Sequence, residues 1–153
     1  MKAVLQRINH AEIYADGELS AQVGAGLYIL LGVEKGDTTS DADALAEKIS
    51  KLRIFTDENG KMNLSVNDIA GEVAVVSNFT LCANYSHGNR PDYFQGASPD
   101  EANALYEYFK TAIGARVKRV GSGVFGADMR TEMSTDGPVT IVMDSAVLLK
   151  KDR

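Results

Sequence analysis

Cysteine is nearly absent from this sequence. Cys82 stands alone among 153 residues, which excludes an internal disulfide. With only two histidines, no Cys/His zinc pattern can be drawn, and neither metal nor cofactor is expected. Long apolar runs are missing as well: none approaches the roughly 20 residues a membrane span requires. The opening Met1-Lys2-Ala3-Val4-Leu5-Gln6-Arg7 lacks the extended apolar centre of a signal peptide. A cytosolic protein with no membrane association is the expectation. Positive charge is in deficit, with 16 Lys and Arg against 21 Asp and Glu and a net charge of −5. That argues against general nucleic-acid binding, which rests on neutralising phosphates. It leaves room for a local patch. Arg116, Lys118 and Arg119 form one cluster, and Lys150, Lys151 and Arg153 another. A solvated face with a charged tail and an RNA-facing surface both fit them.

What is present suffices for a core. The chain is 44 % hydrophobic, and its length suits one domain over residues 1–153. Residues 2–9 read as a strand. Asp16-Gly17 is a hairpin signal between residues 12–15 and 18–23. After Gly24 and Gly26, residues 27–33 form a continuous apolar strand of the kind buried on both faces. Ser40 with Asp43 reads as a helix start, followed by Ala42, Leu45, Ala46, Ile49 and Leu52 at helical spacing. Asp57-Glu58-Asn59-Gly60 is a turn, residues 61–70 are irregular, and residues 71–81 read as a strand. Residues 82–97 form a long polar loop, a length that is often functional. Ser98-Pro99-Asp100-Glu101 opens a second helix whose buried face carries Ala102, Leu105, Tyr106, Phe109, Ala112 and Ile113, and which ends at Gly114. Residues 116–120 and 139–145 read as further strands. Two β-rich segments separated by two amphipathic helices give an α+β domain.

Few side chains offer chemistry. His87 and His10 read as exposed histidines, because no Ser/His/Asp spacing surrounds them and geometry defines a base. Cys82 reads as a small buried filler. Gly121, Gly123 and Gly126 flank Val124-Phe125, where backbone can approach a ligand closely, but no Walker-type Lys-Ser/Thr follows. Two stretches stand apart. In Thr135-Asp136-Gly137-Pro138-Val139-Thr140 a stiff Gly-Pro enters an apolar β-branched run. On its own it reads first as an ordinary turn, with a rigid display of backbone carbonyls as the alternative. In Ser77-Asn78-Phe79-Thr80-Leu81, hydroxyls and an amide interrupt a core strand, where polar groups need partners.

The two stretches together resemble the signature motifs of the D-aminoacyl-tRNA deacylases, Ser-Gln-Phe-Thr-Leu and Asn-x-Gly-Pro-Val-Thr. Asn78 stands where that family has Gln, and Thr135 where it has Asn. The resemblance extends through Ala3-Val4-Leu5-Gln6-Arg7, Leu31-Gly32-Val33-Glu34-Lys35-Gly36-Asp37, Leu52-Arg53-Ile54-Phe55, Lys61-Met62-Asn63-Leu64-Ser65-Val66 and Phe125-Gly126-Ala127-Asp128-Met129. It implies a compact barrel-like sheet arrangement working as a homodimer, with the active site at the subunit interface. It also implies hydrolysis of D-aminoacyl-tRNA, and of glycyl-tRNA.

Thr80 is the obvious nucleophile from the residues alone, yet no base accompanies it. The resemblance implies instead that the substrate's own 2′-hydroxyl assists. Ser77, Asn78, Phe79 and Thr80 would then surround the ester with polar groups and backbone N–H donors. It further implies a cis Gly137–Pro138 bond reaching into the partner's pocket and rejecting L-amino acids, with Arg7 holding that loop. Phe125 and Met129 would line the terminal adenine's pocket; core packing is their other reading.

Overall fold

At the hairpin signal, Asp16 and Gly17 take φ of 50° and 84°, the left-handed pair that a tight two-residue turn needs. They join β1 (Lys2–Ala15) to β2 (Glu18–Val23) in a computed structural model that describes residues 1–151. The chain continues through β3 (Gly26–Gly32), α1 (Thr39–Lys51), β4 (Phe55–Thr56), β5 (Met62–Leu64) and β6 (Glu72–Ser77). A 3-10 turn (Phe79–Cys82), α2 (Pro99–Gly114), β7 (Val120–Ser122), β8 (Met129–Asp144) and α3 (Ser145–Leu149) complete it.

β1 is the shared neighbour. Its first half pairs antiparallel with β3, from Lys2↔Gly32 to Ile8↔Gly26, and its second half with β2. β8 runs antiparallel along both halves, from Lys2↔Asp144 to Ala15↔Met129. β6 lies parallel to β3, and β7 parallel to β6. The sheet curls until β7 meets β2, which makes it a nearly closed barrel. Side chains rather than a backbone ladder bridge the seam. Ser20 Oγ donates to Ser122 O at 2.8 Å, and Arg119 Nη1 donates to Gln22 O at 2.6 Å. A Cβ on Gly121 would lie 3.0 Å from Val23 and 3.1 Å from Ala21, so glycine is what allows this approach.

At β3 and β6 both faces of the sheet are buried, as their unbroken apolar runs require. Leu27, Ile29, Leu31, Val73 and Val75 pack against Leu45, Ile49, Tyr106 and Phe109 of the two long helices. The alternate residues Tyr28, Ala74 and Val76 join Ile8, Ile13 and Val23 on the opposite face. α2 starts as its sequence indicates, with Ser98 Oγ accepting from Glu101 N at 3.4 Å and Pro99 in the first turn.

Other expectations shift. The first helix is capped at Thr38 rather than Ser40, because the Asp41 carboxylate reaches back to Thr38 N at 2.8 Å. The strand expected over 71–81 ends at Ser77, and the strand expected over 116–120 forms at Val120–Ser122. The strand expected over 139–145 is the end of a 16-residue strand that begins at Met129. A third, short helix, α3, adds to the two expected. No helix among the described residues is long and apolar enough to cross a membrane. Arg153 lies outside the described residues.

Met1 and residues 145–151 meet in a polar cluster around Asp41. The Met1 amine donates to Asp37 Oδ1 at 2.7 Å and to Ser145 Oγ at 2.8 Å. Asp41, fully buried, accepts from Ser145 Oγ at 2.7 Å and from Lys151 Nζ at 2.8 Å. Burial alone would push the Asp41 carboxyl up; the Lys151, Ser145 and Thr38 hydrogen bonds together outweigh it and hold it at about 2, against an ordinary 3.8. A carboxyl depressed on folding stabilises the protein above its unfolded pKa, and that contribution fades as pH falls towards the folded value. Asp41→Ala leaves Lys151, Ser145 and the Thr38 amide without their acceptor. It should cost about 3 kcal/mol and lower Tm by about 10 °C at pH 7. Thermal melts from pH 7 to pH 2 check both points: the gap between the two proteins should narrow between about pH 4 and pH 2.

Candidate active site

The first motif leaves the sheet abruptly. Ser77 is the last residue of β6, paired with Leu31, and Asn78 N donates to Leu31 O at 2.8 Å. The chain then tightens into the 3-10 turn, and Asn78 caps it. Its Oδ1 accepts from Thr80 N at 3.2 Å and also from the Thr80 hydroxyl. This is the local side-chain-to-backbone bonding that favours Asn at caps and turns. The turn sits tightly on β3: a Cβ at Gly32 would lie 2.9 Å from Leu81 Cβ and 3.2 Å from Asn78 O. Phe79 is left 63 % exposed, with its ring edge-on to Tyr93 at 5.0 Å.

Beside this turn lies a cavity of about 480 Å³. Ser77, Asn78 and Phe79 line one part of its wall, and Phe125, Gly126, Ala127 and Met129 another. Tyr93, Gly96, Ala97 and Pro99 belong to the long loop and the start of α2. The structure thus joins two blocks that lie nearly fifty residues apart. Phe125 is half-buried, its ring tilted against Tyr106 at 6.1 Å. The Tyr106 hydroxyl donates to Val75 O at 3.0 Å, and burial pushes it up to about 12. Met129 reaches the cavity because Gly123 leaves space; a Cβ there would run into Met129 Sδ. No carboxylate, imidazole, ammonium or guanidinium lines this wall. Thr80 is exposed beside the cavity.

The second motif lies elsewhere on the chain. Gly137 and Pro138, joined by a cis bond, are exposed and do not line the cavity. They belong to an excursion of β8: Thr135 pairs with Ile8 and Thr140 with Gln6, so β8 takes five steps where β1 takes two. Arg7 fills the break. It is 8 % exposed, and its Nε donates to Asp136 O at 3.1 Å and lies 3.2 Å from Asp136 Oδ2. Its Nη1 donates to Ile54 O at 2.9 Å and to Thr56 Oγ1 at 3.3 Å.

His10 and His87 are exposed and line no part of the cavity. Cys82 is buried, which pushes its thiol up. Arg119 is bound to Gln22 O, Arg116 to Ala112 O and Lys151 to Asp41, so three of the five described residues of the two basic clusters are occupied with structure. Sequence reasoning missed Tyr93 and the Asn78–Thr80 cap. An Asn two residues before a Thr at the end of an apolar strand is the signal that marks the cap. Asn78→Ala should cost about 1 kcal/mol, while Asn78→Asp keeps an acceptor in place. Chemical denaturation should show a lower midpoint for the first and a near-native midpoint for the second.

Comparison with known proteins bears on these motifs. A family model described as D-Tyr-tRNA(Tyr) deacylase matches residues 4–144. A protein of Parabacteroides distasonis named D-aminoacyl-tRNA deacylase is 49 % identical over 146 residues, covering 95 % of this chain and 97 % of its own. One of Geotalea daltonii with the same name is 50 % identical over 145 residues, covering 95 % and 97 %. A solved structure named c-Myc DNA Unwinding Element Binding Protein superposes with a TM-score of 0.89 at 35 % identity, covering 94 % of this chain and 98 % of that one. A structure of "a probable eukaryotic D-amino acid tRNA deacylase" shares the fold, at 16 % identity and a TM-score of 0.78 over 93 % and 97 % of the two chains. The chain belongs to the D-Tyr-tRNA(Tyr) deacylase family.

Proposed function

We propose that this protein hydrolyses the ester of D-aminoacyl-tRNA, releasing the free D-amino acid and tRNA in the cytosol as a safeguard of translation. The observation that carries the mechanism is the cavity wall, which holds Ser77, Asn78 and Phe79 of the first motif and no carboxylate, imidazole or ammonium group. A hydroxyl nucleophile needs a base beside it, and Thr80's own hydroxyl already donates to Asn78 Oδ1. Water is therefore the nucleophile, assisted by the 2′-hydroxyl of the terminal ribose. A bond forms between the water oxygen and the ester carbon, the bond to the ribose O3′ breaks, and O3′ takes the proton.

The protein's part is placement and charge stabilisation. Of three successive amides, Asn78 N is taken by Leu31 O and Thr80 N by Asn78 Oδ1. Phe79 N, first in its turn, has no acceptor within the turn and is the donor for the developing oxyanion. Ser77 and the Asn78 amide supply further polar contacts. Phe125 and Met129 hold the terminal adenine.

Selectivity comes from Gly137 and Pro138 of a second subunit. Their exposure, and their absence from the cavity of their own chain, support a homodimer in which each loop enters the partner's site. Backbone carbonyls on one side of the α-carbon exclude an L side chain and ask nothing of a D side chain. Glycine, having neither, passes. A second reading, nucleic-acid binding without turnover, draws on the DNA-binding name of the 35 % identical structure.

Incubation with D-tyrosyl-, L-tyrosyl- and glycyl-tRNA tests the proposal. Release from the D and glycyl esters with the L ester intact supports it; binding without release favours the second reading. Thr80→Ala removes one hydrogen bond and should slow turnover only about two- to tenfold. Complete loss in a folded, tRNA-binding variant would make Thr80 the nucleophile. At Gly137, φ is +127° and a Cβ would lie 2.8 Å from Val139 N. Gly137→Ala should therefore distort the loop, at a cost of about 1–3 kcal/mol, and cut D-ester hydrolysis at least tenfold. Its molecular mass in solution should match that of the unmodified protein.

A further inference from the structure

Beyond the cavity, the long loop carries two large aromatic side chains turned out to solvent: Tyr85 is 83 % exposed and Phe94 75 %. They stand on fixed backbone. Asn84 N donates to Asp92 O at 2.8 Å and Asp92 N to Asn84 O at 3.0 Å, which staples the loop across its base. Asp92 Oδ1 accepts from Phe94 N at 3.3 Å, and Asn84 Oδ1 accepts from Ser86 N at 3.1 Å. Gln95 O accepts from Lys35 N at 2.9 Å, and Val33 O from Ala97 N at 3.0 Å, which ties the loop to the end of β3. Tyr93, next to Phe94, lines the cavity and touches Phe79, and Tyr85 follows Asn84, which pairs with Asp92 on the other side of Tyr93. Large apolar groups held out in water on ordered backbone mark a contact surface. Arg90, within the stapled loop, is exposed and has no ion-pair partner among the described residues.

We propose that Tyr85 and Phe94 are a stacking platform for the unpaired cytidines that precede the terminal adenosine of tRNA, with Arg90 facing their phosphates. The proposal rests on the deacylase reading, in which the ester and terminal nucleoside occupy the cavity. The rest of the single-stranded 3′ end must then leave across the rim. Flat aromatic rings hold successive bases of a single strand through their π-faces, and guanidinium groups follow the backbone. A chain of net charge −5 gains little from general attraction to phosphate, so stacking is the means its surface offers for gripping the strand.

The test compares two substrates, D-tyrosyl-tRNA and D-tyrosyl-adenosine, the second lacking every cytidine. Tyr85→Ala and Phe94→Ala should each raise KM for D-tyrosyl-tRNA about tenfold, the scale of one base stack, with kcat unchanged. Neither should alter KM for D-tyrosyl-adenosine. Phe94→Trp should keep the native KM. The sequence contains no tryptophan, so this variant also reports directly: the trinucleotide CCA should quench its fluorescence, and adenosine alone should not. Equal losses on both substrates, no loss on either, or no quenching by CCA would overturn the platform. So would a fall in molecular mass of the Tyr85→Ala/Phe94→Ala double variant, which would make this surface a contact between copies. An unmodified protein inactive on both esters would overturn the deacylase reading instead, and the CCA quenching would still decide the platform.

Discussion

One buried guanidinium sits where the longest strand pairing of the fold breaks. β8 leaves its ladder with β1 between Thr135 and Thr140, and the excursion strands backbone groups that the sheet would have paired. Arg7 takes over the Asp136 carbonyl and carboxylate. The same guanidinium binds Ile54 O and Thr56 Oγ1 in the segment that follows α1. Losing Arg7 would leave the buried Ile54 carbonyl without this donor, whereas Asp136 and Thr56 are exposed and can turn to water. The bulge is therefore a built feature of the sheet. It turns Gly137 and Pro138 outward from a strand whose pairing with β1 shifts once more between Ile8 and His10.

The cavity follows an opposite design, with little charge and much fixed backbone. Asn78 spends its amide oxygen on its own turn, so the motif's polar groups are arranged by the fold before any ligand arrives. Preorganised donors of this kind need no reorganisation at the moment of reaction. A Gln at position 78 would carry its carbonyl one methylene further from the turn that Asn78 caps. In the proposed reaction, a site of this kind holds the ester by placement, and the proton movements would fall to water and the ribose. The two halves of the proposed machinery lie in different parts of one chain. The cavity belongs to β6, the long loop and the 125–129 segment, while the Gly-Pro excursion is held by Arg7 against the segment after α1.

Local chemistry was legible in the sequence where one residue decides it. Asp16-Gly17 marked the hairpin, Ser98-Pro99 the start of α2, and the apolar run 27–33 a strand buried on both faces. Tyr106, Phe109 and Cys82 belong to the interior, as their surroundings suggested. Non-local decisions were hidden. β8 begins at Met129 because it pairs with β1, and its polar residues 130–136 carry no strand signal of their own. The cap of α1 moved to Thr38 because Asp41 belongs to a cluster with Ser145 and Lys151, more than a hundred residues away. The seam between β2 and β7 depends on a missing Cβ at Gly121 and on two side chains, Ser20 and Arg119. The stretches around Ser77–Phe79 and Phe125–Met129 stood out in the sequence, but the cavity wall they share with Tyr93 did not, since only folding brings the loop to the turn.

The central claim is that one chain supplies the cavity and another the Gly-Pro loop. Subunit mixing tests it most directly. A cavity-defective chain, Phe79→Ala with Met129→Ala, is unfolded and refolded together in equal amounts with the loop-defective Gly137→Ala chain. Half of the resulting dimers are mixed, and each mixed dimer holds one site with both parts intact, so the mixture should recover about a quarter of the unmodified activity on D-tyrosyl-tRNA. Activity no higher than the mean of the two parent variants would contradict the account, because it would place cavity and loop in the same chain.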